Sequence, residues 1–459
     1  MKLPEGPKTP VWLLNIQFAS DPLGFMDAVA KDYGDIFTID FGHAPTVLVS
    51  NPEGIKQIFT KTKEITAPGE LQQIVAPLIG NNGLLLLDGL RHQHRRKLIM
   101  PSFHGARIQT YGQQICDLTE KVMNEQVLGT SFLACPTIQT ITLQVLIQVW
   151  SGLHEGEHYQ KLSQLIPSLL NFARTPLWEI SASFPSLQRD LGRWSPWGKF
   201  LDLQRQLDRL LYKEISDRRQ QTDSYSNNLL SELILARDEA GEPLTNQDVR
   251  DMFLTLLLGG RDAAATAIAW VLYWTHRLPT VREQLLKELD SLGDSPNPMS
   301  IVGLPYLSAV CDEALRLYPT QVITLPRRVE SPIELMGYEL SPGTLLRACI
   351  YLTHHREDLY PEPKTFKPER FLERQFSPYE FLPFGGGTRR CPGEALAMFE
   401  MKLVLATILS HYQLALAEPQ QPVKPQRRGA NYPPASLKMV MLGQRQQEKR
   451  SPQFAGGSI

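Results

Sequence analysis

With 459 residues, 42% of them hydrophobic and 21% charged, and a formal net charge of -1, the chain has the composition of a globular protein with a substantial core. The near-zero net charge gives no basis for nucleic-acid binding. Length alone suggests about three domains, but no linker interrupts the chain, so one domain over residues 1–442 and a flexible tail over 443–459 are expected.

Five cysteines, Cys116, Cys135, Cys311, Cys349 and Cys391, show no paired spacing. That argues against a disulfide framework, a zinc site or an iron–sulfur cluster, and it suits a reducing compartment such as the cytoplasm. Near the amino terminus the apolar run Val11 to Leu14 is too short to anchor in a bilayer. Phe253 to Trp274 is long enough, but Arg261 and Asp262 sit in its middle, each costing about 2.5–3.5 kcal/mol at a bilayer centre. A buried core helix is predicted there, with no transmembrane segment.

In chain order, Ile36 to Phe41 and Pro45 to Val49 are β-rich runs around Gly42-His43-Ala44 and predict a hairpin. Asn51-Pro52-Glu53 opens a helix through about Thr60. From Lys63 to Gly89 periodicity is lost, with glycines at 69, 80, 83 and 89, which predicts a long binding loop or lid. Arg91 to Met100 is a helix made basic by Arg91, Arg95, Arg96 and Lys97. Ile108 to about Leu211 reads as helices broken near Pro176 and between Phe184 and Gly198. The second break is a mobile connection in which Trp194 and Trp197 suit the core and an apolar surface contact equally.

Thr245-Asn-Gln-Asp248 has the form of a capped helix start. The helix runs to His276-Arg277, where Pro279 ends it, a span of about 45 Å. Gly259-Gly260-Arg261-Asp262-Ala263-Ala264 occupies its middle. Each glycine weakens a helix by about 1 kcal/mol, so the pair needs a reason, either close helix packing or bare backbone over a flat cofactor. Glu313 and Arg316 form an i, i+3 pair on a helix ended by Pro319. Ile333 to Leu340 reads as a strand before a Pro342-Gly343 turn, and Tyr412 to Ala417 and Leu437 to Leu442 read as two more.

One stretch organises the rest. Phe384-Gly-Gly-Gly-Thr-Arg-Arg-Cys391-Pro-Gly393 presents a single cysteine from a glycine-rich loop where a helix begins. Pro392 suits the first helical position, Glu394 favours the dipole, and Ala395 to Leu409 continues as good helix formers. A helix N-terminus stabilises a thiolate over a thiol, and Arg389 adds a cation aimed at an anion nearby.

Phe384, Gly387, Arg389, Cys391 and Gly393 match the pattern Phe-x-x-Gly-x-Arg-x-Cys-x-Gly. By these residues the chain resembles the cytochrome P-450 family of haem-thiolate monooxygenases, in its soluble bacterial type. The resemblance implies a mainly α, single-domain fold with a small β region near the amino terminus, and haem b (iron protoporphyrin IX) with Cys391 as the axial ligand to iron. It implies that His92, standing where the family has tryptophan, and Arg96 bind a haem propionate, that Arg327 rather than Arg328 binds another, and that the remaining basic residues of that helix offer a docking patch. Glu313, Arg316 and Arg370, the last in Pro368-Glu-Arg-Phe371, match a structural triad.

On the central helix, Gly259, Gly260, Asp262 and Ala263 fall on the family's oxygen-activating stretch. Ala263 and Ala264 replace its two threonines, the first of which relays protons. Thr266, one turn beyond Asp262, is a distant substitute. The function implied is insertion of one oxygen atom from dioxygen into an apolar, fatty-acid-like or terpenoid-like substrate. Electrons come from an external ferredoxin-type or flavodoxin-type donor with its reductase, and the protein is a monomer. The alanines leave open an enzyme that uses peroxide or rearranges its substrate; a non-enzymatic haem sensor is a third reading. The substrate lining is expected from residues 68–84, 170–200 and 429–437.

Overall fold

The element that spans the molecule is the helix Asn246–Arg277, 32 residues long. It starts as its sequence predicts. The Thr245 side chain accepts the Asp248 N–H at 3.1 Å, while the Thr245 N–H donates to Asp248 Oδ2 at 3.0 Å. In the computed structural model, which describes residues 3–42, 44–175, 178, 181, 185–220, 228–293 and 296–445, this helix is buried on nearly every side. It is long and apolar enough to cross a membrane, yet 83% of its most apolar window lies inside the protein, so it is a core helix. Helices Ala134–Ser151, Pro305–Leu317 and Glu394–His411 pack against it.

The β structure draws on both ends of the chain. Strands β1 (Ile36–Ile39) and β2 (Thr46–Val49) form the expected hairpin, but the five-stranded sheet runs on in the order β1-β2-β8-β5-β3. Here β3 is Ile65–Thr66, β5 is Arg327–Val329 and β8 is Leu345–Ala348. Residues nearly 300 positions apart are joined by the parallel register Val47↔Leu346. A second sheet, β4-β10-β9, pairs Ser131–Leu133, Lys438–Gln444 and Tyr412–Leu416. The β region is therefore not confined to the amino terminus.

Several local readings change. Ile333 to Leu340 is a hairpin, β6 (Ile333–Leu335) and β7 (Tyr338–Leu340), turning at Met336 and Gly337, both at positive φ. The stretch Lys63 to Gly89 is ordered into β3, 3-10 turns over Gly69–Val75 and Leu84–Leu86, and the short helix Ala76–Ile79. Glycines at positions 80 and 89 take positive φ there, which hides the periodicity. Strand β10 continues to Gln444 and Arg445 pairs with Asp290 at 2.6 Å, so the ordered chain passes the boundary expected at 442. Of the expected tail, residues 446–459 lie outside the described residues, as does Phe184. Trp197 is core, stacked on Trp178 at 5.4 Å, whereas Trp194 is 98% exposed.

On the helix Pro305–Leu317, Glu313 and Arg316 are completely buried, with side chains at 0% exposure each. Arg316 makes a two-pronged pair with Glu313 at 2.7 and 2.8 Å, and Arg370 Nε donates to Glu313 Oε1 at 3.1 Å. Further Arg316 donors reach the carbonyls of His354 and Pro363, tying the helix to the chain that leads into the cysteine loop. Removing one member leaves a buried charge unanswered. Glu313→Ala should destabilise the protein by about 3–5 kcal/mol in urea unfolding; a loss below about 1 kcal/mol would show that the triad does not secure this corner.

Candidate functional site

The chain from Pro383 to Gly393 forms one wall of a cavity of about 300 Å³. The Cys391 N–H donates to the Phe384 carbonyl at 3.0 Å, closing the loop. Gly387 takes positive φ at 64°, a conformation that a side chain resists, and a Cβ on Gly386 would lie 2.4 Å from the Phe59 ring. Cys391, Phe384 and Gly393 line the cavity; Gly387 shapes the loop from outside the lining. The helix begins at Glu394 with Gly393 as its cap, so Pro392 precedes it and Cys391 stands in the turn before.

That position alters the expected electrostatics. Cys391 is open to the cavity but surrounded by protein, and burial pushes its thiol above the ordinary range. The Gly393 N–H and the charges of Arg96 and Arg390 offset only part of this. A helix terminus alone therefore does not hold a thiolate here; a thiolate needs a cation bound to the sulfur.

Opposite lies the central helix, unbroken through Gly259, Gly260, Ala263 and Ala264, all of which line the cavity. The two glycines serve different ends. A Cβ on Gly259 would meet nothing within 4 Å, so its absence leaves open space, whereas a Cβ on Gly260 would press on Leu146 at 3.1 Å. Close helix packing accounts for Gly260, and Gly259 leaves open space in the cavity wall. Asp262 is not in the lining. Its carboxylate is held by Arg174, by Gln139 Nε2 at 3.1 Å and by Arg261 at 3.4 Å. Thr266 is also turned from the role considered for it, since its hydroxyl donates to the Asp262 carbonyl at 2.7 Å.

Of the expected carboxylate-binding residues, Arg327 and Arg389 line the cavity, and Arg96 and His92 lie outside the lining. Arg327 donates to the carbonyls of Leu325 at 2.8 Å and Gly386 at 3.0 Å, and burial lowers its pKa to about 10, with Arg389 and Arg347 adding to the fall. Arg328 points away and pairs with Glu70 and Glu330. Arg389 reaches the carbonyls of Ala67 and Leu87 and, at 2.9 Å, Asp88. It thus clamps the 67–88 segment as well as facing the cavity. His92 is 5% exposed, and burial followed by Arg389 and Arg96 lowers its pKa to about 4, leaving it neutral.

Burial likewise lowers the pKa of Arg96, with Cys391 and Glu394 opposing the change. Asp88 answers Arg389, yet the group as a whole is short of negative charge. A flat cofactor carrying two carboxylates and a thiophilic metal fits this donor set: Arg327 and Arg389 in the lining with Arg96 and a neutral histidine near Arg389 outside it, a sulfur in a glycine wall, small residues opposite. Of the expected docking patch, Arg95 is buried against Asp248 at 3.5 Å and Arg91 lies 3.2 Å from Glu239, so neither is a free surface cation.

The lining differs from the expected loops. Among the described residues, 170–200 and 429–437 contribute none of it, and 68–84 contributes only Leu84, with Leu85 just beyond it. Phe103, Leu146 and Trp150 are walls that sequence reading passed over, as is Glu400. The last carried a signal, an acid inside the apolar run Ala395 to Leu409.

The sequence model for cytochrome P-450 matches residues 4–441. The chain belongs to the cytochrome P-450 family, oxidoreductases that bind haem through a cysteine thiolate and act as monooxygenases. Cytochrome P-450 135B1 of Mycobacterium tuberculosis is 32% identical over 420 residues, 90% of this chain and 86% of its own length. Cytochrome P-450 138 of Mycobacterium bovis is 29% identical over 417 residues, 90% of each. The solved structure "Retinoic acid bound cyanobacterial CYP120A1" superposes with a TM-score of 0.81 over 96% of this chain and 99% of that one, at 24% identity, and shares the fold.

His92 gives a test by pH. Its pKa of about 4 lies below the ordinary 6.5, so in the haem-free protein the folded state binds fewer protons than the unfolded state between those values. Stability therefore falls as pH drops from about 6.5 toward 4, by about 3 kcal/mol from this residue. In His92→Gln that part of the acid loss should vanish when urea midpoints are compared across the window. An unchanged slope would mean that His92 is not held neutral.

Proposed function

We propose that the chain is a haem-thiolate monooxygenase in which Cys391 Sγ is the axial ligand, with Arg96, His92, Arg327 and Arg389 holding the propionates. The observation that carries this is the single cavity bounded by Cys391 on a glycine wall and by Gly259, Gly260, Ala263 and Ala264 on the central helix. When bound, haem supplies the redox chemistry of oxygen activation, and the thiolate's electron density favours O–O cleavage. Leu84, Leu85, Phe103, Leu146 and Trp150 exclude water and orient an apolar substrate, fatty-acid-like or terpenoid-like, over the small-residue stretch. Among the sequence patterns there is no flavin or nicotinamide fingerprint, so a separate ferredoxin-type or flavodoxin-type donor with its reductase fits. The cysteines, all unpaired, support a cytoplasmic setting.

Reduced protein exposed to carbon monoxide should give the red-shifted Soret band of a thiolate-ligated haem, and Cys391→Ser should lose it. A serine variant that kept the band would sink the assignment.

A second reading, peroxide use or substrate rearrangement, is favoured by one observation: the cavity stretch of the central helix bears alanines where a hydroxyl would relay protons, with Asp262 and Thr266 engaged elsewhere. A missing positioned proton donor typically costs 10²- to 10⁴-fold. On the dioxygen reading, Ala263→Thr should raise the fraction of reductant recovered as product. Product formed with hydrogen peroxide alone, with none from dioxygen and reductant, would decide for the second.

A further inference from the structure

A second cavity, of about 270 Å³, is lined by Arg282 and Leu286 of the helix Pro279–Asp290, by Gln413 and Leu414 of β9, by Leu442 of β10 and by Arg445. It shares no lining residue with the cavity at Cys391. Arg282 and Leu286 are four residues apart and so share one face of their helix. On the other wall the register of β10 shifts between Met441 and Gly443, which leaves Leu442 unpaired in a bulge. A bulge re-aims a side chain, and this leucine is 54% exposed.

The two arginines differ in what answers them. Arg445 holds Asp290 through two bonds, at 2.8 and 2.6 Å. No acid among the described residues pairs with Arg282, and its Nε is buried without a hydrogen-bond partner. Glu283 is next in the chain but exposed, and neighbours in sequence do not face each other on a helix. Burial and then the charge of Arg445 lower the pKa of Arg282. Its positive charge also reaches His276, whose pKa burial and then Arg282 lower to about 4. A buried N–H on a charged group is costly to leave without an acceptor. An anion answers both the bare N–H and the charge.

The remaining lining decides which anion. An inorganic ion would leave Leu286, Leu414 and Leu442 facing water, whereas a carboxylate on a hydrocarbon stem covers them. At about 30 Å³ for each water-sized group, the space holds on the order of nine non-hydrogen atoms, a carboxylic acid of about six to eight carbons.

We propose that this cavity binds a medium-chain monocarboxylate, with its carboxylate on Arg282 beside Gln413 and its stem on Leu286, Leu414 and Leu442. The site is separate from the haem reading and does not depend on it. A molecule bound there bridges the helix Pro279–Asp290 to β9 and β10, and so stabilises the fold by mass action.

Octanoate is the probe, titrated by calorimetry into the haem-loaded full chain, with the Soret band reporting separately on any octanoate that enters the haem cavity. A binding event without a Soret change is expected, together with a rise in the unfolding temperature. Arg282→Gln removes the charge, and Leu442→Glu sets a competing carboxylate at an exposed position. Each should weaken that event about 10- to 100-fold while leaving the Soret response as in the wild type. Octanol and inorganic phosphate, which each carry half of the chemistry, should bind there at least about 10-fold more weakly than octanoate. The proposal is overturned if octanoate binds only with a Soret change, if Arg282→Gln binds it as the wild type does, or if phosphate binds as tightly.

Discussion

Positive charge without enough negative charge to answer it, at the edge of a cavity whose wall offers a single sulfur, is the constraint on which the site depends. Arg327, Arg389, Arg96 and the neutral His92 come from three distant parts of the chain, and among the described residues only Arg389 of these forms an ion pair, with Asp88. Protein interiors do not hold unpaired cations cheaply. A dianionic cofactor with a metal at its centre resolves both the surplus charge at the edge and the raised pKa of Cys391 in the wall. On the proposed reading, haem would complete the electrostatics of the site as well as supply its chemistry.

The same residues show why a helix N-terminus is an incomplete account of a metal-binding cysteine. Dipole and backbone N–H groups favour a thiolate, but at Cys391 burial outweighs them. The glycine loop instead contributes shape, with Gly386 allowing Phe59 to approach and Gly387 supplying a left-handed turn. Across the cavity, Gly259 leaves space and Gly260 lets Leu146 and Trp150 close on the helix.

Acid groups are divided between the cavity and its surroundings. Asp262 is committed to Arg174 and Gln139 on the far side of the helix, while Glu400 lies in the wall with no partner. A carboxylate beside arginine is held in place by its partner, whereas burial without a partner pushes the pKa of the Glu400 carboxyl up. Environment rather than residue type separates the two acids.

The sequence by itself determined the family, through five spaced residues around Cys391, and the long capped helix, because capping and periodicity act over a few neighbouring residues. It also pointed to Arg327, which the fold turns to the Gly386 carbonyl, and to the Glu313–Arg316–Arg370 motif, whose ion pairs the fold displays. Only tertiary structure decided that β2 pairs with β8, that Asp262 leaves the lining, that Arg95 is an internal partner of Asp248, and that Trp197 is buried while Trp194 is not. Each of these turns on which distant surface covers a side chain. Nothing local in the chain encodes that, because burial and charge pairing are properties of segments brought together by folding.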